Sequence, residues 1–145
     1  MEIRTLSDSD YPALRKIYTS AFNQNEHPKS DLLDSWEYRS EENSYGLFVD
    51  SLLIGFAICS FQKKSGPNMY LDYIAVDETI RGHGYGSILL QMLIDKCHKE
   101  HRSLHLFPDS FELVKWYKKF GFYETLDREP LEGKPPFYMN LHSYG

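Results

Sequence analysis

Between an apolar run that ends at Val76 and another that begins at Ile88, the chain reads Arg81-Gly82-His83-Gly84-Tyr85-Gly86. Alternating glycines behind an arginine, set between a strand-like and a helix-like segment, restrict the architecture more than any other feature. The first turn of a helix has about four backbone N–H groups without intrahelical partners. They carry the positive end of the helix dipole, and a phosphate placed there is bound by geometry alone. Alternate glycines keep side chains out of its approach, and Arg81 adds a permanent charge with several donors. The stretch therefore reads as a pyrophosphate cradle on a strand-turn-helix unit.

Two familiar phosphate loops do not fit it. A dinucleotide-binding turn spaces its glycines G-x-G-x-x-G after the first strand of its unit. Here the third glycine comes one residue early, and the unit lies mid-chain. A P-loop ends in Gly-Lys-Ser/Thr, and no lysine follows Gly86. A plain tight turn before a helix would need neither all these glycines nor Arg81.

The surrounding pattern places the cradle. Glu2 to Leu6 reads as a short strand. Ser7 to Asp10 offers N-cap oxygens, Pro12 suits a first turn, and Leu14, Ile17, Tyr18, Ala21 and Phe22 recur at helical spacing. Asp31 to Tyr38 reads as a second helix. Tyr45 to Val49 and Leu52 to Phe61 form a hairpin around Asp50-Ser51, and Met69 to Val76 is a third strand of that region. From Gly86, residues Leu89, Leu90, Leu93 and Cys97 line one side of a helix. Ser103 to Phe107 is a strand, Phe111 to Phe120 a helix ended by Gly121, and Phe122 to Leu126 and Phe137 to Leu141 the last strands. The order is β-α-α-β-β-β-α-β-α-β-β. The strand-helix-strand stretch from Met69 to Phe107 predicts a parallel pair with a right-handed crossover, and the hairpins predict a mixed sheet.

Composition narrows the function. The 145 residues, 41% hydrophobic and 15% aromatic, suit a single domain with its own core. A net charge of -5 with no basic stripe argues against nucleic acid and leans toward a cationic partner. The longest apolar stretch, Leu52 to Phe61, is shorter than the roughly 20 residues needed to span a bilayer. The start, Met1-Glu2-Ile3-Arg4, lacks the apolar core of a signal peptide, so a cytoplasmic protein without membrane partners is expected. Cys59 and Cys97 give no disulfide framework and read as buried thiols. Cys97 and His101 stand four apart, but no second ligand pair accompanies them, so no metal site is expected.

The motif Arg81-Gly82-His83-Gly84-Tyr85-Gly86 resembles the Arg/Gln-x-x-Gly-x-Gly/Ala motif of the GCN5-related N-acetyltransferase (GNAT) family. The preceding strand, the following amphipathic helix and the later stretch "LVKWYKKFGFYE", Leu113 to Glu124, are similar to that family as well. The likeness is specific from about Met69 to Glu124, and the order of elements extends it more loosely over residues 1–145. It implies a single GNAT-type α/β domain: a central mixed, mostly antiparallel, twisted sheet of about seven strands flanked by about four helices.

It also implies a chemistry. The amides around Arg81, Gly82, His83, Gly84, Gly86 and Ser87 would hold the pyrophosphate of acetyl-CoA. The backbone of Ile74, Ala75 and Val76 would run along the pantetheine arm, with the Val76 N–H facing the thioester oxygen. Tyr117, four residues before Gly121, takes the position of the family's general acid, and a phenol suits protonation of a leaving thiolate. Where the family often carries an asparagine against the pantetheine, this chain has Ser110, whose hydroxyl can still hydrogen-bond. The expected activity is direct transfer of acetyl from acetyl-CoA, without a metal, to a primary amine on a small molecule or peptide. A non-catalytic coenzyme A module and a transferase of a longer acyl group are the alternatives. Dimers are frequent in the family, which leaves a homodimer open.

An amine near pKa 10.4 must lose a proton before it attacks. Asp72 is the leading acceptor for that proton, because residues 72, 74 and 76 of a strand share one face. Its apolar neighbours should raise its pKa. A hydrogen-bonded structural aspartate is the plain alternative, and Glu26 with His27, or water, the next candidates for the base. Phe22, Trp36 and Tyr38 could wall an acceptor pocket or simply pack the core.

Overall fold

Asp50 and Ser51 adopt φ of 50° and 66°, the left-handed turn that lets two strands fold back on each other. The strands so joined are β2 (Tyr45–Val49) and β3 (Leu52–Ser60), antiparallel, with a bulge between Leu47 and Phe48. In this computed structural model, which describes residues 1–22, 28–61, 68–125 and 138–141, β1 (Glu2–Thr5) lies antiparallel on the far side of β2. The remaining elements are α1 (Tyr11–Ala21), α2 (Lys29–Glu37), β4 (Met69–Val76), α3 (Tyr85–Lys99), β5 (Leu104–Leu106), α4 (Phe111–Lys118), β6 (Tyr123–Thr125) and β7 (Tyr138–Leu141). Type and order match the sequence reading throughout the described residues, with ends shifted by a residue or two. Thus α2 begins two residues early, because Pro28 at φ -67°, ψ 159° is its N-cap.

The chain forms two compact units, each assembled from two stretches: Met1–Ser60 with Leu71–Leu93, and Phe61–Tyr70 with Ile94–Gly145. In the first unit the strand order is β1-β2-β3-β4. One core there joins Leu14, Ile17 and Tyr18 of α1, Leu32 and Trp36 of α2, and Phe56, Ile58 and Ala75 of the strands, with Tyr73 against it. A second core joins Leu47, Ile54 and Leu89, with Ile74 of β4 and Tyr85 and Ile88 of α3 packed on it. Alternate residues of β4 therefore serve opposite faces: Tyr73 and Ala75 meet α1 and α2, and Ile74 meets α3. Each fully buried Leu, Ile or Phe in such a core stabilises the fold by about 1.5–3 kcal/mol.

Gly55 of β3 shows how close these strands run. A Cβ built there would lie 3.2 Å from the Ala75 carbonyl and 3.3 Å from both Leu89 Cδ1 and Val76 Cγ2. In the second unit β7 pairs antiparallel with both β5 and β6. The Met69 N–H at the start of β4 donates to the Ser103 carbonyl, just before β5, at 2.9 Å. Start thus lies beside start, as the predicted crossover requires. Gly121, at φ 101°, ends the α4 turn as the sequence suggested.

Candidate active site

The cradle begins where β4 ends. The Asp77 carboxylate accepts from the Thr79 N–H at 3.0 Å and the Thr79 hydroxyl at 2.8 Å, which caps a short 3-10 turn over Glu78–Ile80. Those bonds hold its pKa below the usual carboxylate range. Arg81 follows in extended backbone, and its Nε donates to the Val76 carbonyl at 3.4 Å. Gly82 and Gly84 take φ of 92° and 76°. The Gly84 carbonyl then accepts the first bond of α3, from the Ile88 N–H at 3.1 Å. The N–H groups of Tyr85, Gly86 and Ser87 fall in the first turn, where α-helical geometry supplies them no partner.

The sequence reading gave Gly82 and Gly84 the task of removing side chains. The structure adds a different reason: both sit in left-handed backbone that side chains rarely adopt. A Cβ built on either meets no heavy atom within 4 Å, so the space beside the turn is open to an anion's approach. Arg81, Gly82, His83 and Gly84 are all exposed, and the His83 ring stands 5.9 Å from that of Tyr85.

Strand β4 sorts its backbone groups by alternation. The Asp77 N–H donates to the Ile54 carbonyl of β3 at 2.8 Å. Residues two apart on a strand direct their groups the same way, and the Ala75 carbonyl does lie toward Gly55 of β3. Ile74 and Val76 therefore point their N–H and C=O groups off the edge away from β3. Of the three backbone positions expected along the pantetheine, Ala75 is the one turned toward β3.

Asp72 is half-buried on β4. Burial pushes its carboxyl up to about 6, against the opposing effect of a hydrogen bond from the Ser60 side chain. On the other face the rings of Tyr18, Phe22 and Tyr73 lie 5.1–5.2 Å apart. The Tyr73 phenol is pushed up by burial and by a hydrogen bond with Tyr18, whose hydroxyl also donates to the Pro28 carbonyl at 3.2 Å. Phe22 thus belongs to an aromatic cluster. Trp36 is buried beneath the Arg39 guanidinium at 3.7 Å, a packing role, and Tyr38 is 77% exposed. Glu26 and His27 lie outside the described residues.

In the second unit Tyr117 is 5% exposed, its ring 5.1 Å from Trp116 and 5.5 Å from Phe122. Burial first, then the nearby Asp109 charge, raises its phenol well above the ordinary value, so it keeps its proton. Ser110 caps α4, its hydroxyl accepting from the Leu113 N–H at 3.2 Å. That gives the serine a structural task beyond the pantetheine contact expected of it. A feature absent from the sequence reading is the half-buried His105 of β5, its ring 5.2 Å from Tyr70 of β4 and tilted 31°. A histidine alternating with Leu104 and Leu106 in a strand was the available signal.

Cys97 is buried and its thiol is pushed up to about 11, mainly by burial. α3 ends at Lys99, and His101 adopts φ 56°, so the two do not share a helix face as their spacing suggested. Among the described residues no group of three or more His, Cys, Asp or Glu is arranged to hold a metal ion. Nor is any helix there long and apolar enough to cross a membrane.

The chain, with its glycine turn between β4 and α3, is matched by the model of the acetyltransferase (GNAT) family over residues 11–122. The chain belongs to the GNAT family. It is 28% identical over 101 residues to N-alpha-acetyltransferase 30 of Saccharomyces cerevisiae, covering 68% of this chain and 53% of that protein. To the spermine/spermidine N(1)-acetyltransferase of Bacillus subtilis it is 29% identical over 89 residues, covering 53% and 57%. The chain thus spans about half the length of the curated relatives it matches. Among solved structures, the PaiA N-acetyltransferase of Thermoplasma acidophilum in complex with coenzyme A has a TM-score of 0.70 at 21% identity, over 97% of this chain and 98% of that one. The mixed α/β arrangement of this GNAT chain is the fold expected from its motif.

Proposed function

We propose that this GNAT chain moves the acetyl group of acetyl-CoA to a primary amine by direct attack. The observation that carries the reading is the open turn at Gly82 and Gly84, with the first turn of α3 behind it and Arg81 in front. Acetyl-CoA, bound there by its pyrophosphate, supplies an acyl group activated as a thioester.

The chain's own groups then have distinct tasks. The outward N–H of Ile74 and Val76 grips the pantetheine, and that of Val76 donates to the thioester oxygen as negative charge builds on it. Asp72, directly or through water, takes the proton that the attacking nitrogen sheds as the new C–N bond forms. Tyr117, kept protonated by its burial, gives a proton to the sulfur as the C–S bond breaks. The products are an amide and free coenzyme A. His105 beside Tyr70 is a second candidate for the proton acceptor, since a neutral imidazole carries a ring nitrogen whose lone pair can accept a proton.

The acceptor is an amine on a small molecule or a peptide. The two curated relatives, named for an N-alpha-acetyltransferase and a spermine/spermidine enzyme, support testing both kinds. The test is release of free thiol from acetyl-CoA in the presence of peptides with free N-termini and of polyamines. Thiol release with one class is the expected result. Silence across the panel, despite coenzyme A binding measured by calorimetry, would favour a non-catalytic module. Faster release from a longer acyl-CoA would reassign the donor.

A further inference from the structure

We propose that the first unit carries a second ligand site, a cavity between α1 and the end of β4 that takes a small zwitterion of the amino-acid or dipeptide class. Asp77 holds its ammonium, Lys16 its carboxylate, and an apolar wall the body between them. The site is separate from the acetyl-transfer chemistry.

Helical spacing builds one wall. Lys16 and Ser20 stand four apart on α1 and share a face, beside the buried Ile17. With Ser9, Leu53 of β3 and Asp77 they line a cavity of about 440 Å³. That volume falls within the range of about 300–1,000 Å³ common to small-molecule pockets. All these residues belong to the first unit. Tyr73 and Ala75 of β4 face α1 and α2, and Asp77, two residues further on, keeps that side. The glycine turn leads instead into α3, which packs with Ile74 on the opposite face.

Lys16 and Asp77 bring opposite charges to one cavity without pairing with each other. Among the described residues Lys16 has no hydrogen-bond or ion-pair partner. Asp77 is held still, because its Oδ1 accepts from both the Thr79 N–H and the Thr79 hydroxyl. Its Oδ2 takes no hydrogen bond among the described residues. The Ser20 hydroxyl donates to the Ile17 carbonyl at 3.2 Å, which leaves its oxygen lone pairs to accept. A purely cationic ligand would be repelled by Lys16, and a purely anionic one by Asp77. A ligand that bears both charges meets neither opposition, and that repulsion of the singly charged ligands gives the selectivity. Ile17 and Leu53 offer apolar contact to the part between the charges.

The experiment follows the backbone amides of the full chain by NMR, without acetyl-CoA, as the dipeptide L-leucylglycine is added. Saturable shifts are expected at Ala13, Lys16, Ile17, Ser20, Leu53 and Asp77, which border the cavity. L-leucylglycinamide lacks the carboxylate, and isocaproylglycine lacks the ammonium. Each should bind about fivefold more weakly, as loss of one solvent-exposed ion pair implies. Lys16 is exposed, so Lys16→Glu should fold and leave coenzyme A affinity unchanged. It sets two acidic side chains on the cavity and should therefore bind L-leucylglycinamide more tightly than L-leucylglycine, which reverses the wild-type order. Equal affinity for the three probes, an unreversed order in Lys16→Glu, or shifts confined to residues away from α1 would overturn the inference.

Discussion

The imidazole of His105 and the phenol of Tyr70 face each other with ring centroids 5.2 Å apart, at the starts of two neighbouring strands. Both belong to the second unit, together with Tyr117. If this pair, and not Asp72, receives the amine's proton, His105→Gln should lower kcat at pH 7 by about a hundredfold or more. Asp72→Asn would then leave kcat within about threefold, less than the hundredfold or more that a general base supplies. The opposite ranking assigns the task to Asp72. Steady-state kinetics of the two variants, with coenzyme A affinity measured beside them, decides between the pairs.

Tyr117 is packed between Trp116 and Phe122. Tyr117→Phe keeps the ring and removes only the hydroxyl, so the fold should survive. As general acid, its loss should reduce kcat by about a hundredfold or more, with the Kd for coenzyme A nearly unchanged. Because burial raises the phenol's pKa, wild-type activity should show no alkaline loss from Tyr117 in the ordinary tyrosine range near 10. A rise in Kd that matches the fall in kcat/KM would recast Tyr117 as a binding residue.

The elements were legible because period and punctuation agree along the chain. Leu89, Leu90, Leu93 and Cys97 announce a buried helix face and are all buried, and Asp50-Ser51 announces the hairpin it makes. The glycine turn at the entrance of α3 was legible because it lies within six consecutive residues. What was not legible depends on register between distant strands. Nothing local pairs Tyr70 with His105; strand adjacency makes that pair. Helix ends were misjudged where one backbone torsion decides them, as at Pro28 and His101.

Gly84, at φ 76° with open space around a built Cβ, separates conformational strain from ligand exclusion. Gly84→Ala forces a side chain into left-handed backbone, at a cost of about 1–2 kcal/mol. The protein should therefore fold, with its thermal midpoint lowered by several degrees. Coenzyme A binding should fall much further, because the added methyl group and any shift of the turn disturb the amides that face the phosphates. Gly84→Val should abolish it. Calorimetric titration checks both, and retained affinity in Gly84→Val would contradict the cradle.

Asp72 should also leave a mark on stability. Its carboxyl titrates near 6 in the fold against 3.8 unperturbed, so the folded state resists its ionisation. For a raised acid, the sign is that stability is fullest below the unfolded value and declines as pH rises toward the folded one. Above pH 6 the charge costs the fold about 2–3 kcal/mol. Asp72→Asn removes the charge and keeps a polar side chain of the same size. It should therefore stabilise the protein at pH 7.5 and have little effect at pH 3.5, where the wild-type carboxyl is neutral in the fold. Urea denaturation of both proteins at the two pH values measures the difference. A variant that is more stable yet slower would mean that the fold tolerates a destabilising carboxylate for the sake of proton transfer. Equal stability at both pH values would show that solvent reaches Asp72 freely, and would remove the physical basis for its raised pKa.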